Sequence, residues 1–330
     1  MRGVLLVGGL VGLLLVVTAL LVFVGPWPVV RSVRLTLNEP LARVREQMTV
    51  QHSALQPHGR LRAGWAHVGL EMPEGTPLAG YGDRRGAPAE GSHDQLEVSA
   101  LVFEAGGAER GGSGAAGGAG EDVKADDAHP GGMIAIVTAD LLVVPPNIAR
   151  EVRRAVAIPV LFTATHTHSG PGAAMRGLVA RAFGGSYRRE VERRIVAAMI
   201  RAVETAGRAT RPVRIRHGHA EVPALVRNRT RSESAGYPSV DSRLDLVLLE
   251  DDEGSRLSVL RFSAHPTILG ASNMESSAGY PGFLREAVAR RLGGQAMYLA
   301  GSLGSMSPVP PEAGDEYESA RAYAQALARA

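Results

Sequence analysis

Residues 161–172 read LFTATHTHSGPG, a hydrophobic stretch that runs into Thr165-His166-Thr167-His168 and halts at Ser169-Gly170-Pro171-Gly172. Side chains two apart share one face of a strand, so His166 and His168 point the same way at its end. Strand ends in α/β sheets are where ligands collect. Two neutral imidazoles on one face can be two metal ligands, or one ligand beside a hydrogen-bond donor or acid. The same spacing also suits a solvent-facing pair in a turn. His265 closes a second apolar run, 257–264, just before Pro266-Thr267. A lone histidine is usually structural. Paired with His166 from a parallel neighbouring strand, it would complete a two-histidine site of the kind zinc uses, with ligands drawn from distant parts of a chain. His217 and His219 repeat the spacing in a charged strand with no pocket-forming loop behind it, and read as exposed. Gly301 to Pro308, GSLGSMSP, offers hydroxyls at a strand end, without matching the G-x-S-x-G elbow of serine hydrolases. Neither a P-loop nor a G-x-G-x-x-G is present. Cysteine is absent, which excludes disulfides, thiolate metal sites and a cysteine nucleophile and leaves His, Asp, Glu and Ser to carry chemistry.

These side chains need a scaffold, and the periodicities supply one. Alternation predicts strands over 61–68, 97–104 and 133–138, with a Gly-rich segment, 106–132, as a flexible loop at a hairpin tip. Beyond it a helix over 147–156, a buried strand over 160–164 and a long helix over 187–206 follow. That helix places Val191, Ile195, Ala198 and Ala202 on one face. Strands over 213–222, 244–249 and 257–264, a helix over 282–292, a strand over 296–300 and a helix from 315 complete the series. Interleaved strands and helices predict an α/β class: a layered mixed β-sheet with flanking helices.

The 330 residues suit one large domain or two small ones. Thirty-six basic and 33 acidic residues leave a net charge of +3 with no basic run, which argues against nucleic acid as a partner. Val4 to Val24 is an uncharged apolar run of 21 residues. At about 1.5 Å per residue it spans about 30 Å, a bilayer core. Trp27, between Pro26 and Pro28, stands where an interfacial aromatic belongs. Residues 1–25 are therefore read as one N-terminal transmembrane helix, a signal anchor in preference to a cleaved signal peptide. The expected topology is single-pass, with the soluble domain extracytoplasmic. Residues 26–60, including an amphipathic stretch at 41–48, are read as a linker.

Together the motifs resemble the neutral/alkaline non-lysosomal ceramidase family in its amino-terminal catalytic region. They are Pro77-Leu78-Ala79-Gly80-Tyr81-Gly82, Gly91-Ser92-His93-Asp94, the T-H-T-H-S-G-P-G string of 165–172, Asn228-Arg229, Ala264-His265-Pro266-Thr267, Tyr280-Pro281-Gly282 and Ser307-Pro308. The resemblance runs from about Arg62 to about Pro308. It implies a zinc (Zn) amidohydrolase that splits an N-acylated sphingoid lipid into fatty acid and amine, a lipid N-acyl amide substrate drawn from a membrane. It implies His166 and His265 as metal ligands and His168 beside the metal as catalytic group. It further implies Ser307 as the active-site serine and Arg229 and His93 as substrate-binding residues. Residues 61–330 are then a ceramidase-like zinc hydrolase domain. Two carboxylates of the family pattern are replaced, by Ser305 and Gly279, and the family's remaining metal ligands, a glutamate and a tyrosine, would lie past residue 330, so a truncated domain is expected. The replacements also leave open a catalytically degenerate binding protein, or a hydrolase of another amide or ester.

Overall fold

In the computed structural model, residues 61–105, 132–229 and 240–330 are described. The anchor at 1–25, the linker at 26–60 and nearly all of the Gly-rich segment lie outside them. No described helix is long and apolar enough to cross a membrane.

Twelve strands and five α-helices are described. The strands are β1 (Arg62–Gly69), β2 (Gly91–Ser92), β3 (Glu97–Glu104), β4 (Met133–Ala139), β5 (Val160–Ala164), β6 (Arg211–Glu221), β7 (Val226–Asn228), β8 (Arg243–Asp251), β9 (Arg256–Phe262), β10 (Glu275–Ser276), β11 (Gln295–Ala300) and β12 (Met306–Pro308). The helices are α1 (Pro146–Val156), α2 (Leu178–Gly184), α3 (Arg189–Arg208), α4 (Tyr280–Leu292) and α5 (Glu316–Arg329). Eight strands pair in the order β11-β9-β8-β6-β1-β3-β4-β5, parallel at β11/β9 and β4/β5 and antiparallel elsewhere. The fold is mixed α/β with a large mixed sheet and flanking helices, as the periodicity predicted. The expected hairpin is present too, with Glu104 opposite Met133 on either side of the Gly-rich segment.

The sheet consists of two four-stranded halves. β1 and β6 meet only at Arg62/Pro212 and Ala63/Arg211. Beyond that corner the halves fold face to face, which brings β11 within 8 Å (Cα to Cα) of β4 and β5. The period-two alternation sorts the side chains. Ala63, Leu101, Val213, Leu249, Leu257, Val259 and Met297 form a core between the halves. Val98, Ala100, Val102 and Val137 point outward onto Ile148 and Val152 of α1 and Ile195, Met199 and Ala202 of α3. Leu260, Phe262 and Tyr298 point outward onto Phe283 and Leu284 of α4 and Tyr323 and Leu327 of α5. Strands buried on both faces read as near-continuous apolar runs, which explains why 97–104 and 257–264 were legible.

One expectation is corrected by this topology. His265 does not lie on a parallel neighbour of the His166 strand: β5 is one edge of the sheet, and β9 is one strand in from the other. The folding-over of the halves, not strand pairing, brings the two together. The helix α2 and the two-to-three-residue strands β2, β7, β10 and β12 were also not foreseen, being too short to show a period.

Local chemistry fixes the element ends. Pro146 opens α1, where its missing N–H costs nothing. Asp315 caps α5: its Oδ1 accepts from Glu318 N at 2.7 Å, while Glu318 Oε2 accepts from Asp315 N at 3.3 Å. Glu97, at the head of β3, receives Arg285 Nε at 3.1 Å and lies 3.1 Å from His67 Nδ1. Burial would raise its pKa, but Arg285 and the His67 contact outweigh it and hold Glu97 at about 2 against an ordinary 4.5. A carboxylate depressed in the folded state stabilises above its unfolded pKa and loses that contribution as pH falls through the folded one. Stability should therefore decline from about pH 4.5 towards about pH 2. Urea unfolding of Glu97→Gln should show a shallower decline across that window, and an unchanged slope would remove Glu97 from the account.

Candidate metal centre

The chain leaving β5 is held almost atom by atom. Thr165 N donates to Ala139 O at 2.9 Å and His166 N to Leu141 O at 3.0 Å. His166 has φ +64°, a left-handed backbone that costs a non-glycine residue energy and that surrounding contacts must enforce. This turn re-aims its ring, whose Nδ1 donates to Leu142 O at 2.6 Å. Thr167 Oγ1 donates to Ser277 O at 2.8 Å, and Ser277 N donates to Ser169 O at 3.0 Å.

Across the fold, His265 N donates to Met306 O and its Nδ1 to Leu303 O, both at 3.1 Å. The helix behind it explains the Tyr280-Pro281-Gly282 motif. Tyr280, in the first turn of α4, donates its hydroxyl to Ala264 O, the carbonyl just before His265, with the Tyr298 hydroxyl 2.9 Å away.

The result is a cluster. His166, His168 and His265 offer ring nitrogens that all lie within 4.8 Å of one another. The His166 and His265 rings are 4.6 Å apart, and His168 is 5.3 and 4.9 Å from them. Because His166 and His265 each commit Nδ1–H to a carbonyl, both present an unprotonated Nε2 inward, the arrangement that orients metal-ligating histidines. His168 Nε2 stands 2.9 Å from His265 Nε2, and its own buried Nδ1 has no partner among the described residues. Burial lowers all three pKa values. His166 is lowered by desolvation and by the charge of Arg229, against its bond to Leu142. His168 falls to about 3 through desolvation and then its histidine neighbours, and His265 to about 4, chiefly through desolvation. Three neutral imidazoles, two of them oriented by carbonyls, fit zinc by donor type.

Two residues to which the sequence assigned no role shape this centre. Gly80 (φ +116°) lies against the His168 ring, where a Cβ would come to 2.7 Å from its atoms. Gly80→Ala should cost about 1–3 kcal/mol and displace His168. Thermal unfolding and the imidazole NMR signals would register both, and a wild-type imidazole spectrum would refute the displacement. The second is Arg84, 5% exposed, in the 3-10 turn Gly82–Arg84. Its guanidinium donates to four carbonyls: His168 O, Ala79 O at 3.3 Å, Gly270 O at 3.0 Å and Ala271 O at 3.2 Å. It also lies 4.8 Å over the Tyr81 ring, which in turn sits 4.8 Å from that of His168. No carboxylate lies within 4 Å of it among the described residues. The Gly80-Tyr81 part of the motif was visible in the sequence; nothing there announced Arg84.

The remaining candidates fall at different distances. Arg229 is exposed, its N bonds to Ser305 O at 2.8 Å, and its charge is felt by all three histidines. Ser307 lies in β12, opposite Arg227, on the strand whose Met306 O receives His265 N. It lines a cavity of about 730 Å³ with Thr267, Ser272 and Glu316. His93 is not part of the cluster: it stacks on Tyr317 at 3.7 Å, meets Phe283 edge-on at 5.9 Å and lies 3.2 Å from Asp94. His217 and His219 are exposed on β6, as their spacing in a charged strand predicted.

The sequence profile of the family described as "Neutral/alkaline non-lysosomal ceramidase, N-terminal" matches residues 125–289, half of the chain. A neutral ceramidase of Mycobacterium tuberculosis (strain ATCC 25618 / H37Rv) is 27% identical over 245 residues, 68% of this chain and 34% of the relative. Among solved structures, the neutral ceramidase from Pseudomonas aeruginosa superposes with a TM-score of 0.66 at 22% identity, covering 82% of this chain and 44% of that one. A ceramidase complexed with C2 gives 0.65 at 21% identity, over 82% and 43%. At these identities the superpositions establish the fold. The chain spans between a third and a half of the length of the proteins it matches. On the family profile, this chain belongs to the neutral/alkaline non-lysosomal ceramidase family, in its N-terminal region.

Proposed function

We propose that this chain is the histidine-bearing part of a membrane-anchored, zinc-dependent amidohydrolase that releases fatty acid from N-acyl sphingoid lipids. The observation that carries the reading is the convergence of His166, His168 and His265 from two halves of the sheet. His166 and His265 would hold zinc through Nε2, the nitrogens their carbonyl bonds leave free. Bound zinc would supply a Lewis acid for an amide carbonyl and a water of lowered pKa. His168, kept neutral chiefly by burial, would hydrogen-bond a developing oxyanion or protonate a leaving amine from the ring nitrogen that carries its proton. Arg229 adds a positive field to the same centre, favouring the negative charge of an oxyanion or a fatty carboxylate. Ser307, beside the His265 strand, offers a hydroxyl to hydrogen-bond the substrate's polar head. The membrane anchor, the linker and the catalytic domain at 61–330 belong to this proposal, and the two-dimensional supply of lipid gives the anchor its use.

The test combines elemental analysis with release of labelled fatty acid from N-acyl sphingosine in mixed micelles. One zinc per chain and turnover that falls when His168 becomes Ala support the proposal. Lipid binding without turnover would identify a degenerate binding protein, and neither zinc nor lipid binding would reject both readings.

A further inference from the structure

Helix α2 turns its apolar side to solvent. Leu178 is 84% exposed, Val179 74% and Phe183 47%. At 100° per residue, positions 178, 179, 182 and 183 fall within one sector of about 140°, so these side chains form a single face. Scattered exposed leucines need no explanation, but three large apolar side chains on a seven-residue helix do.

Charge and position say what this face meets. Residues 173–189 contain Arg176, Arg181, Arg188 and Arg189 and no acidic residue. Arg176 is engaged by Glu192 and Tyr187, and Arg188 faces Glu190 at 3.8 Å. Arg181, Arg189 and the adjacent exposed Arg85 have no carboxylate within 4 Å among the described residues, so their charge is free to act outward. The helix is also bolted to the histidine centre: Phe183 O accepts from Gly80 N at 2.8 Å, and Gly80 is the residue against the His168 ring. Asp83 in the adjoining turn and Glu190 just past the segment leave the arginines in excess, and an apolar face with that surplus of positive charge complements the acyl boundary and phosphates of an anionic bilayer.

We infer that α2 is a membrane-contact element that lies in the interface of a bilayer containing anionic phospholipid, with Leu178, Val179 and Phe183 in the acyl boundary and Arg181 and Arg85 on lipid phosphates. The histidine centre, one residue removed from α2 through Gly80, then lies near the lipid surface. This contact is separate from any insertion of residues 4–24 and from turnover, and its test reads neither.

The chain has no cysteine, so one can be introduced as a unique label site. Val179→Cys and, as a control, Glu253→Cys are made in the full chain, coupled to an environment-sensitive dye and mixed with vesicles. The vesicles are phosphatidylcholine alone or with about 30 mol% phosphatidylserine. The expected result is a blue shift and an intensity gain of about threefold at position 179 with anionic vesicles only, quenched by doxyl-labelled lipid, weakened by Arg181→Glu and absent at 253. Three results overturn the inference: no response at 179, an equal response to neutral vesicles, or an emission already apolar without vesicles, which would mean that another segment covers α2.

Discussion

Arg285→Ala is expected to lower the stability of the fold by about 3–5 kcal/mol, the usual cost of stranding one half of a buried ion pair. Arg285 is buried in α4 and makes a two-pronged contact with Asp140, with Nη1 on Oδ1 and Nη2 on Oδ2, both at 2.9 Å. Asp140 is 0% exposed, and its Oδ2 also accepts from Glu97 N at 2.9 Å. Without the guanidinium, a carboxylate is left in the interior and Glu97 loses its main cation. The pair also reaches the metal centre, because Asp140 begins the 140–142 turn whose Leu141 and Leu142 carbonyls hold His166. A double-mutant cycle separates net worth from stranding: Asp140→Ala with Arg285→Met should recover most of the loss. Urea unfolding at neutral pH is the measurement, and a loss under about 1 kcal/mol for Arg285→Ala would show that water relieves the stranded charge.

His265→Ala should weaken zinc binding to the full chain at least a hundredfold, more than the roughly 10–100-fold typical of removing a group that only supports a ligand. It removes one oriented Nε2 and also leaves His168 Nε2 without its 2.9 Å neighbour. Competition against a chromophoric chelator would measure the change. His217→Ala and His93→Ala should bind as wild type, since neither lies in the cluster. A loss of less than threefold at His265 would dissociate the cluster from metal binding.

The chemistry was more legible in the sequence than the geometry that assembles it. The string at 165–172 announced itself because it sets two imidazoles on one face at the end of an apolar run and matches the family motif residue for residue. His265 was visible as an imidazole at a strand end and, through Ala264-His265-Pro266-Thr267, as a ligand that the resemblance implied. What could not be read was the fold-back of the two half-sheets. Period-two patterns say which side chains share a face but not which distant strand that face meets, so a neighbouring strand was expected where a second half-sheet stands. Helix α2 was missed for a related reason: seven residues are less than two turns, and an apolar face without a core behind it gives no burial pattern to detect. Arg84 was invisible because its partners are backbone carbonyls, which every residue type supplies equally.

That last residue has a consequence for the behaviour of the centre in different solutions. A guanidinium held by four carbonyls and no carboxylate is solvated as a cation in a carbonyl cage is, except that it is tethered and does not exchange. It does not titrate in the accessible pH range, and ions in the buffer reach it poorly. Part of the positive potential behind His168 is therefore a constant of the fold, like a fixed charge in an ion-exchange resin, while exposed Arg229 supplies a part that added salt can turn down.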